Sequence, residues 1–467
     1  MHTASERATR RADTNTGAAA DTGVAGETGH PIRSAPSPGR RAACRSLLAM
    51  LAMPALTACG GGTGDATTAL PANPILAMVD PAAINIGSVG WRTSTRDAFL
   101  LAARQINDAG GVLGKRLNAI ALVARDNAEA QAMGQQLLDA GVTILNVSTS
   151  TRVLNLLPQA KLKGVPILTE SSSSPTLTTI ADDDLIFRIG VSDVDATPVL
   201  ARLAYDAGKR RAVVLVNAGD AFGAGLASLF SPAFQALGGQ VVRTVTIPFG
   251  QKNGFDSYLK QVYDAQPDVI LNGILAADIS ANVLNEALPY QNPALWLLPG
   301  TAAGNQTFLD NLADPARVAG GAIGAAATIG AYDTPSYQSF RTRYLAQYGA
   351  EPQDFTAPVY DIVMAMALAI ERAGLLNRTA SPTGPMVRAA LRDVMNAPGQ
   401  TVRPEDIGAA LALVRQGQDV NYSGAYADVD WDSHGDIVGQ VPFTVFRLDT
   451  AAGAWDASRQ LTVSVPR

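Results

Sequence analysis

Histidine and cysteine are scarce in this chain: three of the first and two of the second in 467 residues. His2 and His30 fall in an N-terminal stretch without apolar periodicity, and His434 falls in the polar run DSHGD. A Ser-His-Asp triad therefore lacks its base, and no His/Cys cluster exists to hold zinc. Blocks of Lys and Arg are missing from the part that reads as folded, and the net charge is -5. Phosphate contacts need clustered cations, so nucleic acid is an unfavourable partner. No apolar run is long enough to cross a bilayer; residues 46–56 come nearest and are broken by Pro54. A nucleotide loop is also missing. The G-x-G at 223–225 has Ser228 where a third glycine would stand, and no GK[ST] occurs. Hydrolase, oxidoreductase and kinase readings each lack an essential part, and no metal or cofactor is expected.

What is present is an ordinary globular balance, 47% hydrophobic and 16% charged, long enough for two domains with real cores. The N-terminus departs from it. Residues 1–40 are rich in Ala, Thr, Gly, Ser and Arg and read as disordered or as an over-long start. Arg40, Arg41 and Arg45 then flank the short apolar stretch, which has the form of a secretory h-region. It ends in LTAC, Leu56 to Cys59, which resembles a bacterial lipobox, whose cysteine is acylated and becomes the new N-terminus. Cleavage removes Cys44 and leaves Cys59 alone, without a disulfide partner. The twin arginine at 40–41 is followed by AACR, a poor fit to Tat export. Residues 1–58 are thus assigned to n-region and signal peptide, and 59–81 to a flexible tether.

From residue 84 strands and helices alternate. INIGSVG, LNAIALVARDN, VTILNVS and VPILTES read as strands, with helices over about 97–111, 128–141 and 152–163 between them. RRAVVLVNAG, QVVRTVTIPF, DVILNGIL and ALWLLPG continue the pattern, followed by two long helices at about 334–348 and 356–374. VPFTVFRL and LTVSV close the chain as strands. The alternation implies α/β architecture with parallel sheets in two doubly wound lobes. Asp182, Asp183 and Asp184 read as a solvated charged turn, and the start of the helix after 220 as an end that a polar ligand could face.

Five stretches in order resemble the type I periplasmic binding proteins, in the leucine/isoleucine/valine-binding branch. They are INIG (84–87), AARQINDAGGVLGKRL (102–117), GVPILTESSSSP (164–175), GDAFGAG (219–225) and DWDSHGD (430–436). The resemblance spans about 82 to 450. It implies two lobes joined by a three-segment hinge near 190–195, 326–332 and 422–428, with lobe 1 formed by 82–193 plus 328–424 and lobe 2 by 194–327 plus 425–467. It further implies a ligand cleft between the lobes, closed by hinge motion. Carried over by position, Ser150 with Thr151 meets a ligand carboxylate. Ser171 and Ser173 line the next strand–helix loop, Trp91 forms a first-lobe wall, Phe222 a second-lobe wall, and Phe355 a flank. Core or surface packing is the plainer alternative for Trp91, Phe222 and Phe355. One departure stands out: Gly300 and Thr301 occupy the place of the acid that holds an amino-acid ammonium, and Leu275 replaces an expected aromatic. Glu170 or Asp220 could supply the acid; otherwise the ligand lacks an ammonium.

The expected function is capture of a small polar ligand, an amino acid, amide or small carboxylate, by a lipid-anchored solute receptor on the periplasmic face, delivering to ABC permease subunits. A ligand-sensing lipoprotein of the same fold is the alternative, and an enzyme is disfavoured.

Overall fold

The computed structural model describes residues 73–328, 330 and 332–465. The expected signal peptide and Cys59 lie outside the described residues. Among the described residues, no helix is long and apolar enough to cross a membrane.

The first sheet contains β1 (Ile84–Gly90), β2 (Leu117–Val123), β3 (Leu145–Val147), β4 (Ile167–Thr169) and β5 (Ile186–Arg188), connected by α1 (Thr93–Asp108), α2 (Asn127–Asp139), α3 (Ser150–Lys163) and α4 (Thr176–Thr179). Its strands are parallel in the order β2-β1-β3-β4-β5. β1 is buried along its whole length, as a strand covered on both faces must be. On one face α1 sets Phe99, Ala102, Ala103 and Ile106 into the core at helical spacing.

The chain then enters the second sheet. α5 (Asp193–Asp206) leads to β6 (Arg211–Asn217), α6 (Ala221–Ala236), β7 (Gln240–Ile247), α7 (Asp256–Asp264), β8 (Val269–Gly273), α8 (Ala277–Ala287), β9 (Leu295–Leu298), α9 (Gln306–Asn311) and β10 (Ala322–Ala327). The order is β7-β6-β8-β9-β10, again parallel, which repeats the first sheet's winding.

After β10 come α10 (Pro335–Tyr348) and α11 (Thr356–Asn377), which packs against α1, then α12 (Gly384–Met395), β11 (Gln400–Val402), α13 (Ile407–Arg415) and β12 (Val420–Tyr422). A third passage leads through β13 (Asp430–Trp431) to the long strands β14 (Ile437–Asp449) and β15 (Ala454–Val465). β14 runs antiparallel to β10 and so extends the second sheet.

Several elements depart from expectation. β5 and β10 were not anticipated as strands. β5 has three residues, and β10 reads AIGAAA, too small in side-chain volume to look like a core strand. Gly324 explains that composition, since a Cβ there would stand 2.1 Å from the Leu298 carbonyl oxygen. α12 and α13 also went unread. The Asp182–Asp184 turn is not merely solvated: Asp184 ion-pairs with Arg388 at 3.2 Å and Arg392 at 2.7 Å on α12.

The DWDSHGD stretch acts as a clasp. The Trp431 indole donates to the Arg188 carbonyl at 2.7 Å and its ring meets Phe187 edge-on. Gly435 lies so close to β5 that a Cβ would fall 2.0 Å from the Ile186 carbonyl oxygen. Asp436 pairs with the fully buried Arg188, which would otherwise be an uncompensated buried charge.

Candidate functional site

In each sheet the winding reverses direction once, and there two neighbouring strand ends open a crevice that loops can line. In the first sheet this point lies between β1 and β3, in the second between β6 and β8. The loops leaving these four strands carry Trp91 and Arg92, Ser148–Thr151, Asn217–Phe222, and Leu275–Asp278. The two crevices face each other. Thr151 donates to Asp220 Oδ1 at 3.2 Å and accepts from the Ala221 amide at 3.0 Å. Gly225 on α6 lies against Pro175, where a Cβ would come within 2.4 Å of the proline Cδ. Two of the three glycines of GDAFGAG therefore permit close approach: Gly223 to β8, whose Gly273 carbonyl would lie 3.0 Å from a Cβ, and Gly225 to Pro175. The start of α6 is not open to a ligand as expected, because Asp220 accepts from Gly223 at 3.1 Å and Thr151 takes Ala221.

The run TESSSSPT follows β4 and is ordered by hydrogen bonds. Glu170 is 2% exposed, so it is not free to serve a ligand. Asn146 donates to one of its oxygens at 2.9 Å; Ser148 and Ser171 donate to the other. Ser88 in turn holds Asn146 at 3.0 Å. Ser171 also accepts from the Thr149 amide at 3.2 Å, and Ser150 accepts from the Ser174 amide at 3.1 Å. Ser173 donates to Asp193 at 3.0 Å, and the Asp193 amide returns a bond to the Ser173 carbonyl at 2.7 Å. A hydroxyl has one proton to give. Those of Thr151, Ser171 and Ser173 are given to carboxylates of the protein itself, while the proton of the buried Ser150 has no acceptor among the described residues.

Two of the acids are displaced from ordinary titration. Burial pushes Asp193 up to about 7, with neighbouring Asp220 adding to the shift and the Ser173 bond and Arg188 opposing it. Asp220 is raised for the same main reason, desolvation, against its bonds from Gly223, Thr151 and Phe222. Asp220 thus caps α6 and does not stand free as a counter-charge.

The segments after β1 and before α11 are aromatic. Trp91 and Phe355 are both half-buried and meet edge-on with ring centroids 6.0 Å apart. Phe222 is 5% exposed and packs into the main core together with Val216 and Leu226. Arg92 stacks on Trp91 with its guanidinium carbon 3.8 Å from the ring centroid. Burial lowers the Arg92 pKa, and Asp354 and, across the cleft, Asp278 oppose that. Thr149 and Phe355 both have left-handed backbone, φ 71° and 68°, which costs a non-glycine residue about 1–3 kcal/mol each. Such strain marks segments set in place by their surroundings.

Polar atoms without partners collect at these strand ends. Buried and unbonded among the described residues are Trp91 Nε1, Asn217 Nδ2 and Thr301 Oγ1, with Ser94 Oγ in the first turn of α1. All can donate. Gly300 beside Thr301 fits tightly against β10, 3.3 Å from Ala326 Cα if it bore a Cβ, so no larger residue fits there unchanged. Leu275 is half-buried and donates its amide to Asn217 at 3.4 Å. Sequence reasoning overlooked Ser148, Asn146, Asn217, Asp193 and Arg92. The signal for Arg92 was available: a cation directly after an aromatic residue at the end of the first strand. Among the described residues, no group of three or more His, Cys, Asp or Glu could hold a metal.

A family model described as periplasmic binding protein matches residues 87–410. Among solved structures, the leucine-binding protein LivK of Thermotoga maritima is 21% identical with a TM-score of 0.60, covering 81% of this chain and 99% of that one. The branched-chain amino acid binding protein LivJ of Streptococcus pneumoniae, solved with isoleucine, is 16% identical with a TM-score of 0.60, covering 82% and 99%. A solute-binding protein of R. palustris solved with benzoate is 15% identical with a TM-score of 0.58, covering 82% and 96%. At these identities the likeness concerns the fold. No curated protein matches the sequence.

Proposed function

Because the chain belongs to the periplasmic binding protein family, we propose that it is the solute receptor of an ABC importer, capturing a small ligand between two lobes that close about a hinge. The observation that carries this is the pairing of the two crevices. Thr151 of one bonds Asp220 and Ala221 of the other, and unpartnered donors lie on both sides, at Trp91 and at Asn217. A ligand that touches both sides favours the closed arrangement, as hinge transitions require. The hinge is assigned to the three passages between lobes 82–193 plus 328–424 and 194–327 plus 425–467. Trp91 and Phe355 form the apolar wall, Thr301 and Ser150 contribute hydroxyls, and Thr151, Ser171 and Ser173 act by shaping the loops. Phe222 supports the second-lobe loop from within the core. Attachment is through an acyl group on Cys59 at the outer face of the cytoplasmic membrane or in the outer membrane.

Thermal unfolding of the purified protein, measured against millimolar leucine, isoleucine, benzoate and their amides, tests the reading. Binding to the native state must raise the midpoint, by about 2.7 kcal/mol of stability at a hundredfold excess over Kd. Stabilisation by at least one compound, lost with Trp91→Ala, is the expected result. No shift with any compound would count against the receptor role.

A further inference from the structure

We propose that Arg92 selects the ligand: the cleft takes an organic monoacid with an apolar body, its carboxylate held between the Arg92 guanidinium and the indole N–H of Trp91. This rests on the receptor reading above and narrows it to a ligand class.

The first ground is hydrogen-bond accounting. The serine loop looks suited to a carboxylate, but Thr151, Ser171 and Ser173 spend their protons on Asp220, Glu170 and Asp193. Each of these hydroxyls then offers a ligand only acceptor capacity, and an acid needs donors. Ser150 keeps one unspent proton, but it is buried at 3% exposure and is a single neutral donor; the charged donors left over are on Arg92. Arg92 has five N–H groups, and its guanidinium makes no ion pair or hydrogen bond among the described residues. Trp91 Nε1 is buried without a partner on the adjacent residue. A buried donor left unmade is costly, so the pair is complete only with an acceptor between or beside them.

The second ground is position. Arg92 follows β1 at the crevice of the first lobe, and across the cleft Asp278 opens α8 behind β8, at the crevice of the second. The guanidinium carbon lies 3.8 Å from the indole centroid, and the N–H groups have no hydrogen-bond or ion-pair partner among the described residues. That leaves the bidentate edge for a planar carboxylate. Trp91 and Phe355 supply the apolar surface for the rest of the molecule. Asp354 and Asp278 act on Arg92 from electrostatic range and offset part of its charge. A dianion such as a phosphate ester is therefore disfavoured more strongly than a monoanion, which has one charge to set against the arginine.

The test uses matched pairs that differ only in the acid group: benzoate and benzamide, 4-methylpentanoate and its amide, leucine and leucinamide, with phenyl phosphate as a dianion. Affinities come from calorimetry on wild type, Arg92→Gln and Arg92→Lys. The expected result is that at least one acid binds and its amide binds about 10- to 100-fold more weakly. Arg92→Gln should abolish that preference, and Arg92→Lys should keep part of it. Unliganded melting midpoints of the variants serve to confirm folding. An acid bound equally well by Arg92→Gln, an amide preferred by wild type, or phenyl phosphate as the tightest ligand would each overturn the assignment while leaving the receptor reading standing. If no compound of any kind bound, both would fall.

Discussion

Asp193 shows how one residue of the serine loop changes meaning once its partner is known. The run of serines reads as a ligand edge, and Ser173 as one of its hydroxyls, because four small polar residues follow an apolar strand. What the sequence could not reveal is the acid twenty positions later that receives the Ser173 proton. With Asp193 raised to about 7, the folded chain binds a proton between about pH 4 and 7 that the unfolded chain has already released. Its contribution to stability is therefore largest in acid, falls as pH rises through that window, and levels above 7. The amount is on the order of 4 kcal/mol. Asp193→Asn keeps an acceptor for Ser173 without the charge. Its melting midpoint relative to wild type should climb steadily from pH 5 to 7.5. A difference that stays flat over that range would show that Asp193 does not titrate there. Asp361, also raised to about 7 by burial, remains in the variant and leaves a slope of the same sign.

At the level of elements, alternation of apolar runs and helical periods suffices to read the doubly wound sheets, because covered parallel strands must be apolar throughout. The elements that escaped are those whose residues are chosen for closeness. β10 is built mostly of alanine and glycine where it runs beside β9, and Gly223 and Gly225 resemble a nucleotide loop until their neighbours are seen. Gly225 supplies a direct test of closure. Leucine suits a helix, so Gly225→Leu should leave α6 intact, yet its Cβ alone would enter Pro175 at 2.4 Å. The two lobes should part, raising the radius of gyration in solution scattering and lowering ligand affinity about tenfold or more, the cost of populating the closed state less often. Unchanged scattering together with unchanged affinity would mean that this contact plays no part in closure.

For the whole molecule, the resemblance carried by five short stretches located the fold, yet two of those stretches are structural. DWDSHGD fastens the third passage to β5, and the AGGVLGK turn bridges Val112 to Lys115. Attachment to the membrane belongs to this scale as well. Cys59→Ala, expressed with its leader, should release the protein into the soluble periplasmic fraction, and retention with the membranes would remove the lipid anchor. The stack of Arg92 on Trp91 also has an optical consequence. The chain has four tryptophans, of which Trp296 and Trp431 are buried at 4% and 2% exposure and Trp455 lies against Phe308 and Phe446. Trp91 has the Arg92 guanidinium over its ring, so its emission senses what neutralises that charge. If an acid binds there as proposed, the protein's own fluorescence should report it, with Trp91→Phe as the silent control.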